Sequence, residues 1–476
     1  MRKLLLVLLL IFELLLLPIS LFVHIPEYLT AILSVITVIL LIISKRQLKG
    51  IVMAISIAVA SWSVISAYIL PYWNASLCYY KPVHTMDSQS KLSCKEALED
   101  LNFALKYVRK LHPSCIHGMT QTIINKADDI YGEYSTKDSI TINELHQNIQ
   151  SLLSELNDAH TTIYTKYDSV HQLKTSISDT LSAINGISLS NLFENKRKLY
   201  CFESEEWGFS QMISDCYSLE GLKFLGFEIQ DSIVFSYLKY DEVYNHTYGS
   251  DDFSVMNRTF SSPTSNGIAK YSVIDSMDIG YFYLRTCELY RYREWKRLDK
   301  GLQDFFYSVK EHGVHNVVFD LRDNPGGRYS IISHFFKYLP TEKYLIQHYN
   351  KRISTLLFSN HPEKNNSPDQ ELVFTGNIYV LTSLNTFSTA TLFADILQGN
   401  GLAKIVGEQS GNAVNCCSGV FFFTLPNSKL LLSVSNNIYS RVNDDITSDF
   451  VIPDITCDAN DAFNVVTMMT SNYGIE

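Results

Sequence analysis

The sequence predicts three membrane-spanning helices followed by an α/β domain with a helical leader and a small β-rich insert. Two observations carry this fold class. Residues 1–72 contain three nearly uncharged apolar segments, each close to the roughly 20 residues with which an α-helix crosses a bilayer. From Tyr271 onward, β-prone segments alternate with helix-prone segments, which is typical of a layered α/β core.

The predicted membrane helices are the apolar segments Leu4–Val23, Tyr28–Ser44 and Ile51–Leu70. A cleaved signal peptide is the alternative for the first segment, because Arg2 and Lys3 precede it as a basic region would. Two further apolar segments follow, and no small-residue cleavage site stands out after the first segment. This pattern favours a retained helix.

Positive charges predict the orientation of these segments. Lys45, Arg46 and Lys49 lie between the second and third segments, whereas residues 24–27 contain no Lys or Arg. Basic loops stay in the cytoplasm, so three crossings place residues 73–476 outside it, in a multi-pass cell-membrane protein with the lipid bilayer as a partner. Glu13 leaves a further hypothesis open, because a carboxylate inside an apolar segment is also typical of a transport or sensory unit.

Charge and composition narrow the function classes. The formal net charge is -10 and no basic stripe is present, so nucleic acid is not expected as a partner. No nucleotide, cofactor or metal signature is found. His112, Cys115 and His117 lie close together, but a turn around Pro113 explains them better than a metal site. The sequence leaves the oligomeric state open.

All nine cysteines follow Trp73, in the part of the chain that the orientation places in an oxidising compartment. Some disulfides are therefore expected, and an odd number leaves at least one cysteine unpaired. The sequence does not fix the pairing.

The residues after the membrane region divide into four parts. They are a linker (73–93), a helical leader (94–165), a β-rich insert that is a candidate for substrate recognition (166–270) and an α/β core (271–476). Capping-box pairs, Ser93 with Glu96 and Thr141 with Glu144, predict where the leader helices begin. These helices are expected over Cys94–Leu111 and Ile142–Leu156, and a short strand over Thr161–Thr165.

The α/β core is predicted from a change between strand and helix periodicity. Strands are expected over Ile279–Leu284, Val314–Leu321, Ile378–Thr382 and Ala403–Val406, and helices over Trp295–His312, Ser330–Tyr338 and Thr389–Gln398. Catalytic groups of such folds usually lie where strands end.

Three segments at element ends carry the candidate chemistry. A glycine turn with Gly326 and Gly327 follows a buried strand, and adjacent glycines let backbone N–H groups converge on an oxyanion. Ser388 lies at a helix start, where free N–H groups stabilise negative charge. His160 lies in a turn between helix and strand. Taken singly, an ordinary turn, an N-cap serine and a structural histidine explain these segments equally well.

Taken together, these segments resemble the tail-specific, or C-terminal processing, peptidases, and more closely the branch with the tricorn core peptidase. The similarity extends over residues 94–470, and its motifs are Asp-x-His-Thr, Asp-Leu-Arg-x-Asn-x-Gly-Gly, the serine turn, Val406-Gly407-Glu408 and Pro453-Asp454-Ile455. The resemblance implies a ClpP/crotonase-like core and a serine peptidase that cleaves proteins or peptides outside the cytoplasm. It also implies a nucleophile (Ser388), a histidine base (His160) and backbone donors to the oxyanion (Gly326, Gly327, Thr389).

The chain departs from the family pattern at two places. Ala413 stands where the Ser–Lys branch carries its lysine, so the resemblance implies His160 as the base. The tricorn-like branch orients its histidine with a late carboxylate, for which Asp445 and Asp449 are the candidates. A catalytically inactive relative that binds peptides with the same fold is the alternative function.

Overall fold

The structure, a computed structural model, describes residue 39 and residues 84–471, apart from residues 168, 230, 258–266, 290, 354–355 and 444. All elements presented below lie in one compact unit, Pro82–Glu476.

The predicted fold class is wrong in its membrane part. Apart from Ile39, the segments Leu4–Val23, Tyr28–Ser44 and Ile51–Leu70 lie outside the described residues. Among the residues that are described, no helix has both the length and the apolar character that crossing a bilayer requires. The helix Tyr292–Glu311, for example, has 20 residues but carries many charged side chains.

Capping boxes start two helices of the leader, as predicted. Helix α1 (Cys94–Leu111) begins where the Ser93 hydroxyl accepts the Glu96 N–H and the Glu96 carboxylate accepts the Ser93 N–H. Thr141 and Glu144 start α3 (Ile142–Leu153) in the same way. The structure also contains elements that the sequence did not predict: β1 (Lys91–Ser93), α2 (Gln121–Ser135) and β2 (Ser139–Thr141), with β1 and β2 paired antiparallel.

The leader ends in a tight turn and a short strand. After the 3₁₀ turn Ser154–Leu156, Asn157 adopts a left-handed conformation with φ 48°. The turn that follows contains His160 and leads into β3 (Thr162–Tyr164). The sequence placed both this turn and this strand correctly.

Residues 166–270 contain strands and helices around an apolar core of their own. The strands are β4 (Ser169–Leu173), β5 (Thr180–Ile184), β6 (Ile187–Ser188), β7 (Ser232–Lys239), β8 (Glu242–Gly249) and β9 (Phe253–Asn257). The helices are α4 (Leu189–Lys196), α5 (Glu205–Cys216) and α6 (Leu219–Leu225). Strands β6-β5-β7-β8 form one sheet, and buried side chains such as Met212, Leu222 and Phe235 pack together in the core.

A six-stranded sheet forms the centre of the α/β core, in the order β10-β11-β12-β17-β18-β21. Its strands are β10 (Ala269–Ile274), β11 (Ile279–Leu284), β12 (Asn316–Asp320), β17 (Asn377–Thr382), β18 (Lys404–Gly407) and β21 (Ile455–Thr456). All neighbours run parallel except β10, which pairs antiparallel with β11. The carboxyl ends of β12 and β17 therefore lie side by side, and both the glycine turn and the serine turn start there.

Helices cover both faces of this sheet. Strand β12 is buried along its whole length, with Val317 and Phe319 in one apolar cluster and Val318 in another. The helices of the core are α7 (Tyr292–Glu311), α8 (Ile332–Phe336), α9 (Thr389–Gly399) and α10 (Ala462–Ser471). The first cluster contains buried residues of α7, α8 and α9, and the second contains those of α10.

A second sheet joins the leader to the core. It contains β14 (His348–Ile353), β15 (Leu356–Ser359), β19 (Cys417–Thr424) and β20 (Leu431–Ser440), in the order β15-β14-β20-β19, and β3 also pairs with β20. A small separate pair consists of β13 (Lys343–Leu345) and β16 (Glu363–Asn365). Beside β3, the Ser433 hydroxyl donates to the His160 carbonyl and the Ser435 N–H donates to the Thr161 hydroxyl. The turn that contains His160 is thus fixed to the core by strand pairing.

Eight cysteines fall within the described residues, and all eight are free thiols. The disulfides expected from the sequence are therefore absent among them, while Cys78 lies outside the described part of the chain.

Candidate active site

Ser388 occupies a strained position between β17 and α9. Its backbone has φ 54° and ψ -123°, a conformation that non-glycine residues rarely adopt. The side chain does not cap the helix, although serine at this position usually does. A strained residue persists only where its surroundings hold it, and such residues cluster at functional sites.

Asn412 holds the serine turn from the opposite side. Its buried Oδ1 accepts the Ser388 N–H at 2.6 Å and the Thr391 hydroxyl at 2.8 Å. Its Nδ2 donates to the Ala413 carbonyl at 2.7 Å. No sequence pattern predicts this role of Asn412, because it follows Ser388 by 24 residues, with a helix and a strand between them.

The glycine turn packs directly against the serine turn. A Cβ atom on Gly326 would lie 2.6 Å from the Ser388 Cβ, 2.7 Å from the Phe387 carbonyl oxygen and 2.8 Å from the Thr389 nitrogen. Gly327 approaches the Cys287 backbone equally closely, and both glycines have positive φ angles, +90° and +140°. Glycine is required at both positions because no side chain fits between the turns.

The predicted oxyanion donors differ in their availability. The Gly326 N–H donates to Asn324 Oδ1 at 2.9 Å, and Asn324 is itself anchored through its Nδ2 to the Leu284 carbonyl. Within the described residues, the N–H groups of Gly327 and Thr389 have no protein acceptor. Gly326 therefore shapes the turn, while Gly327 and Thr389 retain free donors.

His160 is buried beside Asp158. Asp158 Oδ1 accepts the His160 backbone N–H at 2.9 Å and lies 3.7 Å from His160 Nδ1, and its Oδ2 lies 3.1 Å from His112 Nε2. Within the described residues, neither ring nitrogen of His160 has a hydrogen-bond partner. Burial lowers the pKa of His160, but the carboxylate of Asp158, together with that of Glu203, outweighs this effect and raises it.

Glu203 is a second carboxylate at this site, in addition to Asp158. Its Oε1 accepts the Ala159 N–H at 3.0 Å, while its Oε2 is buried without a partner among the described residues. Burial raises the pKa of this carboxyl group to about 7. No motif in the sequence points to Glu203, because it reaches His160 from a distant segment just before α5.

Three rings in contact join the histidine, the serine turn and the insert: the Trp207 and Phe387 rings are stacked, and the His160 ring is tilted against that of Phe387. The ring of Phe387, the residue before Ser388, lies 4.9 Å from the His160 ring and 4.8 Å from the Trp207 ring, measured between centroids. Trp207 belongs to α5. These ring contacts place His160 next to the serine turn. The sequence could not predict this proximity, because the two segments are more than two hundred residues apart.

The structure does not bring the predicted acids to His160. Asp449 is exposed and accepts a hydrogen bond from Asn415 Nδ2 at 2.9 Å, and Asp445 is also exposed. The charged groups that act on His160 are Asp158 and Glu203. Asp158 is thus the nearest acid to His160.

The Asp-Leu-Arg segment has a structural role. Arg322 binds the buried Asp320 carboxylate through Nε and Nη2, and its Nη1 donates to the Ala459 carbonyl at 2.7 Å. These contacts fix the end of β12 to the C-terminal segment, and the glycine turn begins from this anchored point.

A strained serine at a helix start with paired glycines packed against it is an arrangement typical of serine-type hydrolases. Residues 278–457 match the model of peptidase family S41, and the chain carries a domain of that family. It is a serine-type peptidase. The matched segment includes Ser388 and both glycines but not His160, Asp158 or Glu203.

Comparison with solved structures supports the fold. The structure of mature CPAF complexed with lactacystin matches with a TM-score of 0.57 at 13% sequence identity, over 80% of this chain and 97% of that chain. A point mutant of CPAF matches with a TM-score of 0.58 at 13% identity, over 80% and 96% of the two chains. No curated protein sequence matches this chain. The predicted resemblance to tail-specific peptidases is confirmed, whereas the individual site residues stay predictions.

Proposed function

We propose that this peptidase cleaves peptide bonds with Ser388 as nucleophile and His160 as general base. The observation that carries the proposal is the contact of the glycine turn with Ser388, since it places a strained serine beside two N–H groups, those of Gly327 and Thr389, that have no acceptor among the described residues. In support, Phe387 packs against a histidine whose two ring nitrogens have no partner among the described residues. Catalytic hydrogen bonds are often completed only when substrate binds.

The reaction follows from these positions. The Ser388 hydroxyl attacks the substrate carbonyl carbon while His160 accepts its proton, and the imidazolium then donates that proton to the leaving amine. The N–H groups of Gly327 and Thr389 donate to the carbonyl oxygen as it becomes negative. In the second half of the reaction, His160 accepts a proton from water as the water attacks the acyl carbon, and it returns that proton to the Ser388 oxygen as the ester bond breaks.

Asp158 is the residue proposed to orient His160. It accepts the backbone N–H of His160, faces the ring nitrogen Nδ1 and is held in place by His112. Asp158 therefore restrains the Nδ1 side of the imidazole and leaves Nε2 to accept the proton. Its pKa is held below the usual value, because the facing imidazoles of His112 and His160 outweigh the effect of burial. Asp158 is thus ionised and stabilises the imidazolium.

A fluorophosphonate probe tests the proposal directly. The full chain should form a covalent adduct at Ser388, identified by mass spectrometry, and both Ser388→Ala and His160→Ala should abolish it. Ser330→Ala replaces an exposed serine of the same domain and should label normally. A folded protein that stays unlabelled would instead support the alternative of a peptide-binding relative, and an adduct at another serine would refute the assignment.

The pH dependence of catalysis should report on Asp158. Only neutral His160 accepts a proton, so kcat/KM should fall as pH decreases through its pKa, which lies above the usual value of about 6.5. Asp158→Asn removes the group that raises the pKa of His160 most and leaves burial, which lowers it. The acidic limb of the kcat/KM profile should therefore move to lower pH, in addition to a loss of rate.

Asp445→Asn and Asp449→Asn are the matched controls for this profile. Both remove an exposed carboxylate, and neither should move the acidic limb. Glu203→Gln should move it in the same direction as Asp158→Asn, because Glu203 also raises the pKa of His160. If the limb moves with Asp449→Asn but not with Asp158→Asn, the late carboxylate is the orienting acid after all.

A site of action outside the cytoplasm, on extracytoplasmic proteins or peptides, is also part of the proposal. Its support comes from the sequence, where Arg2 and Lys3 precede the apolar segment Leu4–Val23, a pattern typical of exported proteins. An epitope tag after residue 476 should be digested by added protease in intact cells. Digestion only after permeabilisation would contradict this location.

A further inference from the structure

Donor side chains for a metal ion surround the proposed base. Asp158, His160 and Glu203 each offer one ligand atom, and these three atoms lie within 4.8 Å of one another. We call these three residues the donor cluster. They come from two segments of the chain, the His160 turn and the residues just before α5, which meet only in the folded protein.

The donor cluster has unused coordinating capacity. Among the described residues, Glu203 Oε2 and both ring nitrogens of His160 are buried without a hydrogen-bond partner. Buried polar atoms are normally paired with protein, with water or with an ion. Three such atoms in one cluster of imidazole and carboxylate groups indicate a site that can accept a further partner.

The donor set fits a borderline-soft divalent cation. Zinc binds imidazole nitrogen and carboxylate oxygen at about 2.0–2.2 Å, which places the donor atoms of a tetrahedral site about 3.3–3.6 Å apart. The donor atoms, which lie within 4.8 Å of one another, would have to approach by up to about 1.2–1.5 Å through side-chain rotation. Three protein ligands also leave a fourth position for water, as in open zinc sites.

We infer that the donor cluster is a reversible inhibitory site for zinc or a similar divalent transition-metal ion. The inference rests on the proposed function, because inhibition follows only if His160 is the base. A metal ion on either ring nitrogen takes the lone pair of the neutral imidazole and leaves its proton on the other nitrogen, so His160 then has no lone pair with which to accept the Ser388 proton. Binding is a coordination step without redox chemistry, in which carboxylates and a neutral imidazole displace water from the ion.

A second group of donors lies next to the cluster but suits the ion less well. The ligand atoms of His112, Asp158 and Cys417 are also within 4.8 Å of one another. Asp158 is engaged in both groups, since its Oδ2 lies 3.1 Å from His112 Nε2 and its Oδ1 accepts the His160 backbone N–H, so the difference lies in the third ligand. Burial raises the pKa of the Cys417 thiol, which disfavours the thiolate that zinc prefers.

Titration calorimetry with zinc chloride tests the site without relying on activity. The full chain carrying Ser388→Ala keeps every donor and cannot cleave itself. It should bind one zinc ion, and the additional change Glu203→Gln should weaken binding at least tenfold, since even outer-shell changes cost 10- to 100-fold in metal affinity. Gln can still accept the Ala159 N–H, so this variant should fold, which a thermal melt verifies.

Cys417→Ser, again combined with Ser388→Ala, is the matched control and should leave zinc affinity unchanged. Cobalt substitution gives an independent measurement, because a thiolate ligand would produce a sulfur-to-cobalt charge-transfer band that the donor cluster does not produce. Absence of zinc binding, or binding that is lost with Cys417→Ser and kept with Glu203→Gln, would overturn the proposed site.

Fluorophosphonate labelling of the unaltered chain tests the inhibitory effect. Zinc should suppress labelling at Ser388, and EDTA should restore it. Binding without suppression would show that the ion does not reach His160 and would overturn the inhibitory role. If the chain is not labelled even without zinc, the proposed function fails, while the calorimetric result on the metal site still stands by itself.

Discussion

Ser388→Ala should lower kcat for peptide hydrolysis by about 10⁶-fold, the loss found when a serine nucleophile or its base is removed. The hydroxyl is the only group of this residue that can form the acyl-enzyme. Because the side chain does not cap α9, the folded structure should lose little with it. The free energy of unfolding should change by about 0.5 kcal/mol or less, as for most substitutions without a buried contact.

His160→Gln should reduce kcat to a similar extent, and the double variant should be scarcely worse than either single one, because the two residues act as a unit. Ser330→Ala provides the reference for a serine replaced outside the site. Steady-state kinetics on a fluorogenic peptide give these values. Additive losses in the double variant would contradict the assignment of Ser388 and His160 to one proton transfer.

Gly326→Ala should lower kcat by about 10²- to 10³-fold although Gly326 provides no reacting atom. Its added Cβ would meet the Ser388 Cβ at 2.6 Å and the Thr389 nitrogen at 2.8 Å, so the nucleophile and an oxyanion donor must both move. Displacement of a reacting group by about 1 Å costs on the order of 10²-fold, and loss of one oxyanion donor costs 10²- to 10³-fold.

Gly118→Ala separates steric displacement from backbone strain. Gly118 has a comparable positive φ of +108°, but a Cβ there meets nothing within 4 Å. Both variants should lose more than about 1 kcal/mol of unfolding free energy, since alanine is strained at positive φ. Only Gly326→Ala should lose catalytic rate. Equal kcat values for the two variants, measured below the unfolding temperature, would show that the contact with Ser388 is unimportant.

Local signals in the sequence were sufficient for most elements that position the site. Helix α1 has the predicted bounds, because a capping box and a clear helical period of apolar residues defined it, and strand β11 also has the predicted bounds. Helix α9 also begins at the predicted residue, Thr389. Where the helical pattern was weaker, over Ser330–Tyr338, the structure has a 3₁₀ turn followed by the short helix α8.

Contacts between distant segments could not be predicted in the same way. Glu203 and Trp207 reach the site from the insert, and Asn412 holds the serine turn from beyond β18. None belongs to a motif with a fixed spacing. The candidates Asp445 and Asp449 came from the position of an acid in the resembling branch, whereas the structure places Asp158 beside His160.

The ring contacts at the serine turn have a thermodynamic consequence for the insert. Trp207 packs on Phe387, and Phe387 packs on His160. A ligand that shifts α5 is therefore expected to change the free energy of the serine turn. Linkage is reciprocal: occupancy of Ser388 must then change the affinity of the insert for that ligand by the same factor. Fluorescence of Trp207 is a natural optical probe of this coupling, and a ligand of the insert can be recognised by its effect on inhibitor affinity at Ser388.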